Sequence, residues 1–372
     1  MGGRSRRGPD SFRAWPPSFM TSADSREPVP TEAARASLSS TGQATFDLAL
    51  RMGGLFLAIV IVALLMFVLK PTSFNVDVGI SVLRAMSSVA IMSLGLTLVI
   101  VVGEIDLSFG AMYGLGANSL AVMWILLGIP IYAALPLAIG VGAVVGLFNG
   151  TLVTWLSIPS FIVTLGSYNL LYGVSLWITK TSTFNPVYPP PGSEIPPEQL
   201  DFFTGLTASF GSHPISLEVL WMLGLAVLVG FLLHRTLFGF RLMAIGGNPV
   251  AARLARLPVT RYKILAFVIC GMLAAVAGIL DFSFIQTTQP NIGLSYTFPV
   301  FAAVIIGGAS LSGGKGTVIG AMSGALLLAE LQQGLALLTP GPHVQQLFLG
   351  FVTIGAVALD LALTKIRARR AS

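Results

Sequence analysis

Cysteine, histidine and charged residues are all scarce in this chain of 372 residues. The single cysteine, Cys270, excludes an internal disulfide framework and a cysteine-based metal site. The three histidines, His213, His234 and His343, lack the spacing of metal ligands, and no nucleophile can be paired with a base. We therefore expect no catalytic residue, no metal site and no cofactor bound by this chain.

The low charge excludes an ordinary soluble protein. Charged residues make up 10% of the chain and hydrophobic residues 54%, whereas soluble domains average about 25% charged residues. Apolar runs long enough to cross about 30 Å of hydrocarbon as helices recur from Gly53 to Leu363 and leave no room for a separate soluble domain. The sequence predicts one all-α, multi-pass membrane domain.

Lysine and arginine concentrate in three segments rather than on one basic face. Of the 21 such residues, seven lie within 1–51, six within 235–263 and four within 365–370. By the positive-inside rule these segments, and hence both termini, are cytoplasmic. The net charge of +6 is thus explained by topology, and no nucleic-acid partner is expected.

Composition divides the chain into two tails and a transmembrane domain. Residues 1–45 resemble a disordered basic cytoplasmic tail, within which Met20 is an alternative start; the transmembrane domain covers 46–365, and 366–372 form a second cytoplasmic tail. Clear apolar segments lie at about 53–69, 82–102, 107–129, 131–155, 158–178, 217–234, 264–282, 317–338 and 343–363.

Topology requires one further span. An even number of crossings after 263 is needed, which predicts a short or broken span at about 293–310, covered by protein rather than lipid. The total is then about ten spans. Residues 179–216, which carry mostly acidic charges, become an external loop whose proline-rich stretch 186–197 favours extended backbone. Residues 235–263 become a cytoplasmic coupling segment.

A weak internal echo links Gly110–Gly114 with Gly320–Gly324, since both read Gly-Ala-Met-x-Gly after a Leu-Ser pair. Related halves would form an inverted repeat in this topology. Packing of small residues between membrane helices explains the same pattern. Both interpretations stay open.

The segment Gly103-Glu104-Ile105-Asp106-Leu107-Ser108-Phe109-Gly110 places two carboxylates between apolar spans. Asp at a helix centre costs about 2.5–3.5 kcal/mol, so these groups belong at an interface, in an aqueous cavity or against donors. One hypothesis is a break that lines a solute path; the other is an interfacial turn with a helix cap. The candidate path residues, including two amides within later spans, are Glu104, Asp106, Ser108, Asn149 and Asn169.

The glycine-rich segment 307–317 invites comparison with a phosphate-binding P-loop. The pattern requires glycine where Ala309 stands and Ser or Thr where Gly316 stands, and no strand precedes it. A turn that feeds a membrane helix is the better interpretation. Any coupling to ATP must therefore come from another polypeptide.

The segment 246–257 predicts a short cytoplasmic helix. Gly246-Gly247-Asn248-Pro249 precedes it, and Pro258 ends it. Small Ala251 and Ala252 allow a partner surface to approach closely, although a basic, partly helical inside loop is the alternative.

These motifs together resemble the permease family of ribose, xylose, arabinose and galactose ABC importers, which is related to branched-chain amino-acid permeases. The motifs are Gly103 to Gly110, Phe148-Asn149-Gly150 with 158–166, Gly246-Gly247-Asn248 with 251–254, 307–317, and the ending from Gln345 to Asp360. The resemblance covers about 55–363, and five motifs in order are more specific than any single one.

The resemblance implies a subunit of the plasma (inner) membrane that imports a sugar, namely a pentose, a hexose or a related polyol, with no catalysis of its own. The implied partners are an ABC ATPase that uses ATP and Mg²⁺, an external solute-binding protein and a second permease subunit, identical or a close paralogue. It also implies a helix that couples the permease to the ATPase, formed by Gly246, Gly247, Asn248, Ala251, Ala252, Arg253 and Leu254.

Two departures from the family pattern leave details open. Val250 stands where the family helix commonly has glutamate, and Lys180-Thr181-Ser182 where it often has a glycine pair. A branched-chain amino acid or a nucleoside is the alternative solute. An ion-driven secondary carrier that uses Glu104, Asp106 or Glu330 is the alternative mechanism.

Overall fold

The computed structural model describes residues 53–71, 75–210, 215–338, 341, 343–348, 350–351, 354–355 and 358. The predicted tails, 1–45 and 366–372, and part of the predicted last span lie outside these ranges. The elements are α1 (Gly53–Leu69), α2 (Val76–Val101), α3 (Phe109–Ala121, continued by a π-turn to Leu126), α4 (Ile131–Trp155), α5 (Ser160–Thr179), α6 (Pro197–Gly205), β1 (Ser209–Phe210), β2 (Ile215–Ser216), α7 (Leu217–Arg235), α8 (Leu237–Gly247), α9 (Pro249–Leu254), α10 (Val259–Ile285), α11 (Thr297–Ile306) and α12 (Val318–Leu338).

The predicted all-α membrane architecture is confirmed. Within the described residues, seven helices are long and apolar enough to cross a membrane, and three apolar helices are shorter. α2 begins at Val76, before the predicted residue 82, because Asn75 caps it through a 2.9 Å bond from the Val78 amide to Asn75 Oδ1. Asp77 in its first turn lowers the local hydropathy, so a hydropathy profile places the start of the span later.

α10 packs against α2, α3 and α4. Its backbone touches that of α4, since a Cβ on Gly142 would overlap the carbonyl oxygen of Gly271 and the reverse also holds. Close approach at small residues is typical of helix packing in membranes. Cys270, which is fully buried, lies on the neighbouring stretch of α10.

Large apolar side chains cover the outward faces of several helices. Trp155, Trp177 and Val227 are each more than 70% exposed in the isolated chain. Such faces suit contact with lipid or with another membrane subunit.

The predicted short span is α11, which has 10 residues and so measures about 15 Å. It packs against α12 and α2, and its apolar residues from Ala302 to Val304 are buried, so protein covers it as expected. The loop 307–317 then turns into α12, and the Gly314 amide donates to the Val101 carbonyl at 2.8 Å. Gly313 in the same loop abuts Gly246 of α8. This end of the bundle, where α8 and α9 lie, is called the α9 end.

The opposite end of α7 carries α6, β1 and β2 and is called the α6 end. Within the predicted external loop the proline-rich stretch 186–196 is non-helical, and the following residues 197–210 fold against the helix ends. Phe203 is fully buried between Trp124 and Phe282, with ring centroids 4.9 Å apart in each pair. Gln199 Oε1 accepts bonds from Trp124 Nε1 at 3.0 Å and from the Ile131 amide at 2.9 Å. Burial of these apolar side chains stabilises the packing of α6.

The Gly-Ala-Met-x-Gly echo falls on α3 and α12. The segments that precede these helices contain Gly103 and Gly313, both of which lie against Gly246. The two helices therefore start at the same end, and the echo gives no support to an inverted repeat. The repeat stays a prediction.

Candidate functional site

The segment 103–110 forms a break between α2 and α3. Gly103, with φ of 88°, turns the chain out of α2, and the backbone stays non-helical until α3 begins. The Ile105 amide donates to Ser160 Oγ at 3.1 Å, and the Ile105 carbonyl accepts from Thr164 Oγ1 at 3.4 Å. Side chains of α5 thus satisfy the exposed backbone, which is the condition for non-helical chain at membrane depth.

A buried chain of polar groups runs from this break into α4 and α5. Asp106 Oδ1 accepts from the Ser108 amide at 2.8 Å and from Ser108 Oγ at 2.6 Å. Asn149 Nδ2 donates to Ser108 Oγ at 2.9 Å, and Ser167 Oγ donates to Asn149 Oδ1 at 2.5 Å. All four side chains are buried within the subunit. The structure therefore brings together three predicted path residues, Asp106, Ser108 and Asn149, and adds Ser167.

Glu104 lies apart from this network. Its carboxylate pairs with Lys263 Nζ at the start of α10, and the side chains are 12% and 20% exposed respectively. Both residues, with Arg253 of α9, line a cavity of about 790 Å³ at the α9 end. The two carboxylates of one sequence motif thus have different surroundings.

The predicted coupling helix is α9. Asn248 caps it by accepting from the Ala251 amide at 2.9 Å, and Pro249 takes the first helical position as predicted. Ala252 is 5% exposed and faces the rest of the subunit, whereas Val250 and Leu254 are 64% and 82% exposed. The surface that a partner can reach is therefore formed by Val250, Ala251, Arg253 and Leu254 rather than by Ala252.

Gly246 sets the position of this helix. A Cβ there would overlap the Val101 carbonyl oxygen and lie 2.6 Å from the Gly314 nitrogen. Since only glycine fits, α8 rests directly on the backbone of α2 and of the loop 307–317. Gly247 has open space beside it, so the two adjacent glycines differ in role.

Asn169 lies on an exposed part of α5, away from the buried network. Its Nδ2 donates to the Leu165 carbonyl at 3.3 Å. Neighbouring Leu165 and Leu170 are 44% and 53% exposed. Asn169 is thus a polar group on an otherwise apolar outward face.

A family profile described as "Branched-chain amino acid transport system / permease component" matches residues 79–357. The chain belongs to this family.

Curated relatives of the permease include the Ribose import permease protein RbsC of Escherichia coli (strain K12), which is 33% identical over 309 residues and aligned over 82% of this chain and 92% of its own. The Autoinducer 2 import system permease protein LsrD of Photorhabdus laumondii is 34% identical over 301 residues, covering 81% and 88%. The Galactose/methyl galactoside import permease protein MglC of Escherichia coli (strain K12) is 30% identical over 335 residues, covering 87% and 98%. The prediction of a membrane transport subunit rather than an enzyme is confirmed.

Sequence reasoning missed a second polar cluster in the permease, toward the α6 end. Ser88 Oγ of α2 donates to Glu218 Oε1 of α7 at 3.1 Å, and Tyr113 of α3 donates to Asp281 of α10. The guanidinium of Arg84, one turn before Ser88 on α2, lies over the ring of Phe284 of α10, 4.1 Å from its centroid. Within the described residues no group of three or more His, Cys, Asp or Glu is placed to hold a metal ion.

A signal for this cluster was present in the sequence. Arg84 stands within an apolar helix, where an unpaired charge is costly. It therefore required acidic partners on neighbouring helices, although the sequence did not show which ones. Its two hydrogen bonds join α2 to α7 and α3 to α10.

Proposed function

We propose that this permease is the transmembrane subunit of an ATP-driven ABC importer for a sugar. The relatives described above import ribose, galactose or methyl galactoside, and autoinducer 2 by their names. A polar solute crosses hydrocarbon only through a protein-lined cavity. ATP and Mg²⁺ are used by a separate ATPase subunit, and a solute-binding protein delivers the sugar from outside.

The observation that carries this proposal is the geometry of α9. Val250 and Leu254 expose apolar side chains on its outward side, while its base is fixed to α2 and the loop 307–317 through Gly246. A helix held this way transmits a push from a docked partner to the membrane helices. The partner we assign to it is the ATPase.

The α9 end is then cytoplasmic, as are both termini. The six Lys and Arg residues between 235 and 263 support this orientation by the positive-inside rule. Glu194, Glu198 and Asp201 belong to the segment at the α6 end, which is then external.

The solute path in this proposal runs between two permease subunits. Asn169 lines it, because it lies on an exposed face of α5 that a second subunit can cover. The buried chain from Asp106 to Ser167 holds α5 in place, and Glu104 lies near the cytoplasmic mouth. A second copy or a close paralogue supplies the other half.

The test is uptake into proteoliposomes that contain the permease, with and without its ATPase, ATP inside, and binding protein loaded with radiolabelled ribose or galactose outside. We expect accumulation only with ATPase, ATP and binding protein together. Uptake that needs no partner and follows a proton or sodium gradient would establish the ion-driven carrier instead.

A matched pair of variants assigns the docking face. Leu254→Asp should abolish co-purification of the ATPase and uptake, because it places a charge on the apolar face of α9. Tyr188→Asp, at a side chain that is 81% exposed at the α6 end, should leave co-purification unchanged. Normal co-purification with Leu254→Asp would exclude α9 as the docking helix.

A further inference from the structure

A cavity of about 790 Å³ opens at the α9 end among α4, α5, α9 and α10. Its charged lining consists of Glu104, Arg253, Arg261 and Lys263. Glu104 and Lys263 neutralise each other through their ion pair. Two arginines are left, and within the described residues neither has a carboxylate partner; Arg253 Nε donates only to the Pro249 carbonyl, at 3.3 Å. The cavity therefore carries an unbalanced charge of about two positive units.

The backbone adds to this positive potential. The first residues of both α5 and α10, Ser160 and Val259, line the cavity, and these helices are 20 and 27 residues long. Helix N-termini carry partial positive charge. Two long helix dipoles and two arginines thus point to an anion of phosphate type, since guanidinium groups pair well with phosphate oxygens.

The rim of the cavity indicates where this anion comes from. Trp155 belongs to the lining and is 74% exposed, and the adjacent Leu156 is 63% exposed. Both lie at the end of the membrane helix α4. Exposed tryptophan at a helix end is typical of the boundary between lipid and water, and basic pockets between membrane helices bind anionic headgroups. The cavity is therefore accessible from the bilayer as well as from water.

We propose that this cavity binds the phosphate of an anionic phospholipid, held by Arg253 and Arg261. The bound phosphate connects α9 to α10. If α9 docks the ATPase, as proposed above, the lipid stabilises the position of the docking helix. Lipid binding itself does not depend on the transport function.

The test compares lipids on the purified full-length permease. Native mass spectrometry of mixed micelles gives apparent affinities for phosphatidylglycerol and for phosphatidylcholine with the same acyl chains. We expect phosphatidylglycerol to bind at least about tenfold more tightly, and this preference to fall as salt rises from about 50 to about 500 mM. Equal affinities, or a preference that salt does not change, would overturn the proposal.

Three variants locate the site. Arg253→Gln and Arg261→Gln should each weaken phosphatidylglycerol binding about fivefold, since each removes one cation near the headgroup. Arg256→Gln is the matched control, because Arg256 belongs to the same segment but does not line the cavity. Equal losses in all three variants would show general surface attraction and no site.

Inorganic phosphate separates lipid from a soluble ligand. At about 10 mM, with ionic strength held constant, it should leave phosphatidylglycerol binding nearly unchanged, because the lipid is also held by its acyl chains. Displacement of the lipid by phosphate would reassign the cavity to a soluble phosphate compound. The comparison of the two lipids at different salt concentrations uses only the wild-type protein, so it tests the proposal even if a variant fails to fold.

Discussion

The two ends of the bundle are held together in different ways. At the α9 end, backbones meet directly: Gly246 lies against Val101 and Gly314, and the Gly314 amide bonds the Val101 carbonyl. At the α6 end, large side chains fill the space, with Phe203 buried between Trp124 and Phe282. Backbone contacts tolerate no added atom, whereas aromatic packing draws its strength from buried area.

This difference fits the proposed roles of the two ends. A coupling surface must move as one body with the membrane helices. Direct backbone contact restricts the movement of α8 relative to α2. A folded external cap has to cover helix ends and stay in place. The aromatic cluster and the hydrogen bonds of Gln199 hold α6 over the helix ends. They do so through side chains, without direct backbone contact between membrane helices.

The largest expected effect is at the aromatic cluster. Phe203→Ala should lower the free energy of unfolding by about 3–5 kcal/mol, because the side chain is fully buried. Phe202→Ala is the control, since Phe202 is 39% exposed and should cost far less. Thermal unfolding of both variants in the same detergent measures the difference. Similar losses would show that the cap is held by something other than the buried ring.

The next effect is at the backbone contact of the α9 end. Gly246→Ala should cost about 1–3 kcal/mol through overpacking and weaken ATPase association, because α8 must shift away from Val101. Gly247→Ala should be neutral, since nothing lies within 4 Å of its added methyl group. Thermal unfolding and ATPase co-purification check both variants. If both alanine variants showed the same unfolding midpoint and the same ATPase co-purification, α8 would be able to shift away from Val101 without loss of stability or docking.

Much of this architecture could be predicted from sequence, for physical reasons. Hydropathy located the long apolar segments. The requirement for an even number of crossings after residue 263 predicted the short span that α11 forms. The motif 103–110 indicated a break, because paired carboxylates cannot lie within a lipid-facing helix. These features depend on the polarity of residues that are neighbours in the sequence, and this polarity can be read without a structure.

Contacts between distant segments could not be predicted. Asp106 and Glu104 are two residues apart, yet Asp106 accepts hydrogen bonds from Ser108, which Asn149 of α4 contacts, and Glu104 pairs with Lys263. Ala252 and Leu254 are equally close in sequence, but only the structure shows which faces outward. The packing of 197–210 could not be predicted, because Phe203 becomes part of the core only when the ends of α3 and α10 lie beside it.

The sharpest separation of roles comes from the two asparagines that the sequence grouped together. Asn149→Ala should cost about 1–3 kcal/mol, because it leaves buried Ser108 and Ser167 without their shared partner. Asn169→Ala should change stability by less than about 0.5 kcal/mol, since the side chain is exposed. It should nevertheless reduce ATP-driven uptake if Asn169 lines the path between subunits. Thermal unfolding and uptake, measured on the same preparations, separate the two residues. Wild-type uptake by Asn169→Ala would show that the solute path does not run along this face of α5. An unchanged unfolding midpoint for Asn149→Ala would show that apolar contacts alone hold α5.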